Sequence, residues 1–395
     1  MAWRSVNVKE QRLQFVVLAK SGEKTVRALC EEFGISRMTG HKWINRFESE
    51  GAAGVMEERS RRPQRSPNRA ADQVEAAVVE MRQRYPDWGA RKLNHLIRKQ
   101  KPELGHFAVA TTHRILLRHG LVSEEDRHRP ASKRFERSKP NELWQMDFKG
   151  PKGFHSEIGP LSILDDHSRY LVTLKQLGST RLVGVQGTLR DVFGEVGLPE
   201  AMLVDHGTPW WNPKSVWGWT ELTIWLMRQG IRMSFSGIRH PQTQGKVERM
   251  HGSMYRTIRK RQPEPNTQQW LDQFREEYNC LRPHEAIGMA TPSQVWSPSS
   301  RLYLENPRSW EYPDNCEVIQ LGTQGEFHWQ HRRWELGRPF KRLTVGVQRV
   351  DHRALVYYCA TPLVEIDLRS QTQSRLPACT NLVTTTENRS VDIPP

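Results

Sequence analysis

The apolar positions of the first fifty residues follow a helical spacing. They predict a helix over residues 8–20, with apolar side chains at Leu13, Val16, Val17 and Ala19. A second, shorter helix fits Val26–Phe33, and Gly34 permits a sharp turn after it. Ser36 is a good N-cap for a third helix that runs to about Glu50. The pattern therefore predicts three helices, with a tight turn between the second and the third.

Helical patterning returns after a segment rich in Arg, Pro and Ser. Residues Ala70–Tyr85 predict one helix, and another begins at Pro86. Residues Thr111–Gly120 predict a third, with its N-cap near Thr111. We expect a second helical module here, with Thr111–Gly120 as a candidate recognition helix.

The middle of the chain changes to strand patterns. The segment Leu143–Lys149 alternates, which places Trp144, Met146 and Phe148 on one face and Gln145, Asp147 and Lys149 on the other. Further strands are predicted at Leu161–Leu164, Tyr170–Leu174, Ala201–Val204 and Ile231–Phe235. Helices are predicted over residues 179–196 and Trp219–Gln229. This alternation is typical of an α/β domain.

A long amphipathic helix follows at residues 243–260. Its apolar stripe consists of Val247, Met250, Met254 and Ile258, and a basic stripe of Arg249, Arg256 and Lys260 lies opposite. Glu248 lies about 100° from the centre of the apolar stripe. It is therefore expected at the margin between the core and a basic surface.

The C-terminal part predicts helices and then short strands. Residues 263–296 look helical, whereas short strands separated by turn residues run from about Asn315 to Leu368. We expect a small β-barrel over residues 310–370. Residues 371–395 are polar and rich in Thr and Asn, so a disordered tail is expected.

Composition narrows the class of protein. The 395 residues contain 36% hydrophobic residues and no apolar run near the length of about 18 residues that spans a membrane. The five cysteines are scattered without a CxxC pair, which favours neither a disulfide framework nor a thiolate zinc site. We expect a cytoplasmic protein without a membrane partner.

Charge is concentrated at one end of the chain. The net charge is +15, and residues 1–140 carry 29 basic and 17 acidic residues, a net +12. The remaining 255 residues carry 30 basic and 27 acidic residues, a net +3. A basic excess confined to the helical third favours binding of nucleic acid over a generally solvated surface.

The first three helices match a helix–turn–helix pattern, whose second helix enters the major groove. Candidate DNA contacts on the third helix are Arg37, Thr39, His41 and Lys42. Gly40 departs from the pattern, because such helices usually have a branched apolar residue there. In the basic linker the candidates are Arg61, Arg62 and Arg65, since Arg side chains suit a narrow minor groove. The alternative for the three helices is a bundle that binds no ligand. The alternative for the basic linker is a connector that only contacts solvent.

Three acids in the middle of the chain carry the candidate chemistry. Asp147 lies on the first strand, Asp205 follows a continuous apolar strand, and Glu248 lies on the amphipathic helix. Acids at the carboxyl ends of buried parallel strands mark the usual site of open α/β sheets. Lys246, Arg249 and Arg256 are candidate DNA contacts on the helix.

Other polar and aromatic residues around these acids have two interpretations. For the turn Asp165–Arg169, we favour pairing within the structure over metal binding. For His206 and His251, a structural role and contact with water or phosphate are equally compatible with the sequence. The segment from Pro209 to Trp225 contains five tryptophans. Core packing is favoured for them over stacking on unpaired bases or contact with a partner subunit.

Together these motifs resemble a known family. The strings WQMD at 144–147, DDHSR at 165–169, VDHG at 204–207 and HPQTQGKVER at 240–249 resemble the integrase-type DDE transposases of bacterial insertion sequences, and the likeness covers roughly residues 5–300. The interval of 42 residues between Asp205 and Glu248 is longer than in retroviral-type cores, and their zinc-binding His/His/Cys/Cys domain is absent from the sequence.

The resemblance implies a ribonuclease-H-like core in which Asp147, Asp205 and Glu248 are catalytic and hold two Mg²⁺ or Mn²⁺ ions. Two such ions about 4 Å apart stabilise both oxygens of a phosphodiester exchange. It implies a transposase that binds double-stranded DNA, both element ends and target, as a homo-oligomer (dimer or larger), in the bacterial cytoplasm with the nucleoid. The alternatives are a catalytically silent DNA-binding regulator derived from a transposase and a nuclease of the same fold without joining activity.

The expected organisation is a multidomain α/β protein. Its parts are a helix–turn–helix domain (1–58), a basic linker (59–69), a second helix–turn–helix or winged-helix-like domain (70–126), a second basic linker (127–140), the ribonuclease-H-like core (141–300), the β-barrel (310–370) and the tail (371–395).

Overall fold

The computed structural model describes residues 7–57, 69–122, 136–150, 158–236, 244–261 and 268–376. The chain divides into two compact units, residues 1–69 and residues 70–395. The predicted basic linker with Arg61, Arg62 and Arg65 lies outside the described residues, except at its end.

The first unit is the predicted three-helix module. Its helices are α1 (Val8–Ser21), α2 (Val26–Glu32) and α3 (Arg37–Met56). The side chains of Thr25 and Ser36 cap α2 and α3 by accepting from backbone N–H groups, as expected of N-cap residues. The apolar faces meet in a core that contains Phe15, Val16, Leu29, Cys30 and Trp43. The three helices and the turn between α2 and α3 are therefore confirmed.

The second helical module opens the larger unit. Its helices are α4 (Asp72–Arg84), α5 (Ala90–Gln100) and α6 (Val109–Arg118), packed around the fully buried Trp88. The helix α6 begins at Val109, two residues before the predicted N-cap at Thr111, and no side chain caps it. Thr111 is therefore a helical residue, and its expected capping role is wrong.

A mixed five-stranded sheet forms the centre of the larger unit. The strands are β1 (Trp144–Phe148), β2 (Leu161–Asp165), β3 (Leu171–Lys175), β4 (Ala201–Val204) and β5 (Arg232–Phe235). The sheet has the order β3-β2-β1-β4-β5, with the first three strands antiparallel and β1, β4 and β5 parallel. This is the ribonuclease-H-like arrangement that the sequence predicts.

Helices cover both faces of this sheet. On one face, α7 (Leu182–Val196) and α8 (Glu221–Arg228) pack against Trp144, Met146 and Ile163. On the other, α9 (Gly245–Arg261) and α10 (Gln268–Glu276) pack against Leu164, Leu171 and Leu174. A π-helical turn at Glu277–Leu281 follows α10, and the short helix α11 (Pro292–Val295) comes after it. The strands are consequently buried on both faces, as in other α/β sheets.

The C-terminal strands form two sheets. The strands are β6 (Glu317–Gln320), β7 (Glu326–Trp329), β8 (Arg332–Glu335), β9 (Thr344–Val350), β10 (Arg353–Tyr358), β11 (Thr361–Asp367) and β12 (Thr372–Arg375). One sheet has the order β12-β11-β10-β9-β6, and β7 pairs with β8 in the other.

The expected closed barrel is wrong, because β6 and β12 are separate edges of the larger sheet. Apolar residues of the C-terminal strands share one core with the central domain, and the rings of Trp219 and Phe340 lie 6.2 Å apart. The apolar side chains of the C-terminal sheet are therefore buried against the central domain. In a closed barrel they would be buried in its interior instead.

The expected disordered tail also needs correction at its start. Residues 372–375 form β12, which pairs antiparallel with β11, and the part of the tail from residue 377 lies outside the described residues. Among the helices of the described residues, none is long and apolar enough to cross a membrane.

Candidate active site

Two of the three candidate acids lie on neighbouring parallel strands. The register pairs Trp144 with Met202 and Gln145 with Leu203. Continued by two residues, the same register brings Asp147 opposite Asp205, and adjacent strands lie about 4.8 Å apart. The two aspartates therefore meet at one edge of the sheet, as expected for acids at the ends of parallel strands.

The third acid comes from helix α9. Val247, Met250 and Met254 are buried against the sheet, which turns Glu248 to the margin of the helix. Gln145 fixes the start of this helix, because its Oε1 accepts from the Val247 N–H at 3.3 Å. The predicted amphipathic face is confirmed.

Asp147 and Glu248 line the same open cavity of about 290 Å³. Its wall consists of Asp147, Phe148, Lys149, Gly150, Glu248, His251, Gly252 and Tyr255. Tyr255 lies two helical turns after Glu248 and so shares its face, a spacing that predicts the contact although the sequence analysis did not single it out. The cavity therefore joins the end of β1 to one face of α9.

Both carboxyl groups that line the cavity have raised pKa values. Burial, together with the charges of Asp205 and Glu248, raises the pKa of Asp147 to about 7, while a backbone hydrogen bond at Phe148 and the charge of Lys149 act in the opposite direction. Burial also raises the pKa of Glu248. A cation bound here would relieve this repulsion, since an opposite charge favours the ionised form of a carboxyl group.

The donor set fits a hard divalent cation, because Mg²⁺ prefers carboxylate oxygens and keeps several waters. Within the described part of the chain, however, no three His, Cys, Asp or Glu side chains lie close enough together to form a ready metal site. Asp147 is within electrostatic range of the other two acids, but the three are not gathered about one point.

A tight loop after β4 positions Asp205. Its Oδ1 accepts from the Gly207 N–H at 2.8 Å and from Trp210 Nε1. A Cβ at position 207 would lie 2.9 Å from that oxygen, so the loop requires glycine there. The Trp210 ring is buried and stacks on Phe148, 5.6 Å away. Sequence reasoning missed Trp210 as a partner of Asp205.

The tryptophans of this segment pack into the protein, as favoured from the sequence. Trp210 and Trp219 are buried, and Trp211, Trp217 and Trp225 pack partly buried against the same core. The loop also receives Arg375 from β12, whose guanidinium carbon lies 4.4 Å from the Trp211 ring and 4.8 Å from the Phe235 ring. Nothing in the sequence pattern pointed to Arg375.

The two histidines near the acids take different positions. His251 Nε2 lies 2.8 Å from Ser162 Oγ, and its Nδ1 lies 3.8 Å from Asp147 Oδ2. Burial lowers the pKa of His251 to about 3, so the ring is neutral at pH 7. The His206 ring contacts Trp211 edge-on at 4.5 Å. Burial, followed by the charge of Arg375, lowers its pKa.

The turn Asp165–Arg169 is structural, as favoured from the sequence. Asp165 accepts from the backbone of Asn141 at 2.7 Å and of Ser168 at 2.8 Å. Asp166 accepts from Gln145 Nε2 at 2.8 Å and pairs with Lys246 Nζ at 2.5 Å. The side chain of Lys246 is largely buried in this pair, which departs from its expected contact with DNA.

The candidate DNA-binding residues of α3 lie largely on its surface. Arg37, His41 and Lys42 are exposed, whereas Thr39 is half-buried and its Oγ1 lies 2.9 Å from Ser36 Oγ. Three cations surround the buried Trp43 ring, namely Arg12, Lys42 and Arg46, at 4.3, 5.2 and 5.0 Å from its centroid.

On α9, the two remaining candidates differ in their surroundings. Arg249 is exposed, and Arg256 is half-buried with Nη2 donating to Ser253 Oγ at 3.1 Å.

Comparison with known families finds domain models in both the helical region and the core. Residues 7–55 and 39–116 match two homeodomain-like domain models, and residues 229–292 match an integrase core domain model. The integrase core match contains Glu248.

Among known proteins, the uncharacterized 39.2 kDa protein of insertion element IS476 from Xanthomonas euvesicatoria is 24% identical over 287 residues. The match covers 69% of this chain and 78% of that protein.

Two viral structures are also similar. A simian T-cell lymphotropic virus intasome in complex with PP2A regulatory subunit B56γ matches at TM-score 0.36 and 15% identity, over 76% of this chain and 98% of that chain. The dimeric HTLV-2 integrase catalytic core domain in complex with magnesium matches at TM-score 0.30 and 16% identity, over 40% of this chain and 97% of that chain.

Homeodomain-like modules at the N-terminus, an integrase core and an insertion-element relative agree with the motifs of the sequence. The chain thus matches two homeodomain-like domain models and an integrase core domain model, and it is similar to a protein of a bacterial insertion element.

Proposed function

We propose that the protein binds the ends of a DNA element and catalyses metal-dependent cleavage and strand transfer. The observation that carries the proposal is that Asp147 and Glu248 line one cavity, while Asp205 lies near enough for its charge to help raise the pKa of Asp147. Carboxylates in an open cavity suit a polyanionic substrate only if cations accompany it.

Asp147, Asp205 and Glu248 would hold two Mg²⁺ or Mn²⁺ ions. When bound, such ions activate an attacking oxygen and stabilise the leaving oxyanion of a phosphodiester. The residues of this chain supply the frame for that chemistry. Gly207 and Trp210 hold Asp205 by hydrogen bonds to Oδ1, and Gln145 fixes the start of the helix that carries Glu248.

Because His251 is neutral, we infer that it orients the Asp147 side chain and does not supply a positive charge. It lies between Ser162 and Asp147, and its lowered pKa keeps the ring uncharged in the range where the acids ionise. We assign it the task of limiting the rotation of Asp147.

The helical modules would bind double-stranded DNA. The exposed side chains of Arg37, His41 and Lys42 on α3 form a cationic face suited to the major groove. Arg249 and Arg256 on α9 would contact phosphates beside the cavity. Two element ends need two active sites, so a homo-oligomer on DNA, in the bacterial cytoplasm, belongs to the proposal.

The experiment is a strand-transfer assay with candidate element ends and Mg²⁺. We expect Asp205→Asn and Glu248→Gln to lower cleavage and joining by more than about 100-fold, because even outer partners of metal ligands cost about 10–100-fold. End binding should stay within about threefold. Glu195→Gln, an exposed acid on α7, is the matched control and should behave as the wild type.

Each result separates the possible functions. Cleavage that survives both substitutions would contradict the proposed site. Metal-dependent cleavage without joining would indicate the nuclease, and end binding without any cleavage by the wild type would indicate the regulator.

A further inference from the structure

A buried carboxylate connects the second helical module to the core. Asp87 lies between α4 and α5, and its side chain is fully buried. Its Oδ1 accepts from Arg261 Nη2 at 2.7 Å and from Arg261 Nε at 3.1 Å. Its Oδ2 accepts from Arg282 Nη1 at 3.0 Å and from Thr257 Oγ1 at 3.1 Å. All three partners belong to the core, at least 170 residues away along the chain.

Aromatic rings and further ion pairs surround this contact. Tyr85 and Trp88 stack with centroids 4.3 Å apart. The guanidinium carbons of Arg261 and Arg282 lie 5.7 Å from the Tyr85 and Trp88 rings, respectively. Arg261 also donates to Glu277 at 2.6 and 2.7 Å. Each arginine is thus held from more than one side.

Electrostatics favour the ionised form of Asp87. Burial opposes ionisation, but the charges of Arg282 and Arg261 outweigh it and hold the pKa of Asp87 below its usual value. Hydrogen bonds between ionised groups are directional, and guanidinium groups fix their partners in a plane. An apolar contact of equal area would permit sliding, whereas this one specifies a single docked position.

The contact ends on the catalytic helix. Thr257 and Arg261 lie on α9, which also carries Glu248. Arg261 lies thirteen positions after Glu248, or about 20 Å along a helix. On the module itself, the outer face of α6 presents the exposed His113, Arg114 and Leu117, opposite its buried Thr112, Ile115 and Leu116. A surface suited to DNA is therefore held at a fixed offset from the cavity.

We infer that Asp87 is a positioning residue, which joins the second helical module to α9 so that a DNA end bound on α6 meets the active site at one fixed distance. The inference rests on the proposed function for its DNA substrate. It predicts that the contact determines where the DNA is cut rather than how tightly it binds.

The test compares Asp87→Asn, which removes the charge at constant shape, with Asp72→Asn. Asp72 is an exposed acid in the first turn of α4 in the same module, so it is a matched control. Two properties are measured: amide hydrogen exchange of residues 85–92 and 253–261 in the free protein, and the positions of cleavage on an end-labelled DNA end.

We expect exchange in both segments to rise at least about tenfold in Asp87→Asn and not in the control. End affinity should stay within about threefold, while cleavage at the wild-type position falls about tenfold and spreads over neighbouring nucleotides. Asp87→Glu, which keeps the charge, should restore part of the positional preference.

Two results would overturn the inference: unchanged exchange in both segments, or a uniform loss of cleavage with the position preserved, which is the signature of a merely structural role. If Asp87→Asn does not fold, Thr257→Val, which removes one hydrogen bond to Oδ2, must produce the same changes in smaller measure. A wild type that cuts no DNA would contradict the proposed function alone, because the exchange measurement needs no activity.

Discussion

At the scale of single residues, close approach and burial determine what a position tolerates. Gly40 looks like a weakness in α3 when only the sequence is considered. In the fold it is buried, and a Cβ there would lie 2.5 Å from Cys30 Sγ and 2.9 Å from the Phe15 ring. Glycine is therefore required for α3 to pack against α1 and α2.

Gly40→Ala is expected to lower the free energy of unfolding of the first unit by about 1–3 kcal/mol, because the added methyl group overfills a packed core. Urea denaturation measures it. Gly184→Ala on α7 is the control, since a Cβ there meets nothing within 4 Å. There the removal of glycine from a helix should be neutral or stabilising by up to about 1 kcal/mol. Equal effects at both positions would contradict the packing argument.

Asp147 stores electrostatic strain in the candidate active site. Its pKa rises from 3.8 to about 7 on folding. Between these values the folded state binds more protons than the unfolded state, so the free energy of unfolding of the metal-free protein falls as the pH rises from about 4 to about 7.

Asp147→Asn cannot ionise, and we expect it to be more stable than the wild type at pH 8, by at most about 4 kcal/mol at 1.36 kcal/mol per pKa unit. At pH 4 the difference should nearly vanish. Urea titrations at both pH values, without metal and with the exposed Asp191→Asn as control, measure it. A stability difference that does not change with pH would show that Asp147 is not strained.

At the scale of elements, the last described strand, β12, packs against the loop that follows β4 and carries Asp205. β12 is mostly polar and half exposed, yet it brings Arg375 against Trp211, Trp219 and Phe235. These rings adjoin the loop in which Trp210 holds Asp205. The strand therefore supports the candidate active site, although it lies more than 160 residues after Asp205 in the sequence.

Arg375→Gln should lower the free energy of unfolding by about 0.5–2 kcal/mol, the range of cation–π contacts from exposed to desolvated. Cleavage should fall more than end binding does, since the Asp205 loop loses support. Thermal unfolding and the cleavage assay measure the two effects, with the exposed Arg369→Gln as control. Normal cleavage in a destabilised variant would mean that the contact serves stability alone.

At the scale of the whole molecule, the chain consists of two compact units. The second helical module belongs to the larger one, where Asp87 joins it to the core. The first module has its own apolar core of residues between Phe15 and Val55.

A fragment of residues 70–395 is therefore expected to fold and to keep metal-dependent cleavage, while it loses most of its preference for element ends over unrelated DNA. Binding to non-specific DNA should also weaken and depend less steeply on salt, because phosphate contacts are lost. Competition binding at several salt concentrations measures both. Preference for element ends that equals that of the full chain would show that α3 does not read the end.

Much of the protein can be predicted from local patterns. Helical periodicity predicted α1 to α6 and the buried face of α9, because an apolar stripe with helical spacing must be buried on one side; α5, however, begins at Ala90 and not at the predicted Pro86. Strand alternation placed Asp147 on the face of β1 opposite Trp144 and Met146, and the motifs around Asp205 and Glu248 carry the resemblance to the integrase-type transposases. These signals extend over a few residues and need no knowledge of distant neighbours.

Only the tertiary structure decided which distant residues meet. Five features depend on contacts between segments that are distant in the sequence. They are the requirement for glycine at position 40, the pairing of Lys246 with Asp166, the packing of the C-terminal sheet on the core, the contacts of Arg375 and the burial of Asp87. Local patterns report how a segment is buried, but not what it is buried against. The energy of a buried charge or a close contact depends on the groups that surround it, and these come from other segments of the chain.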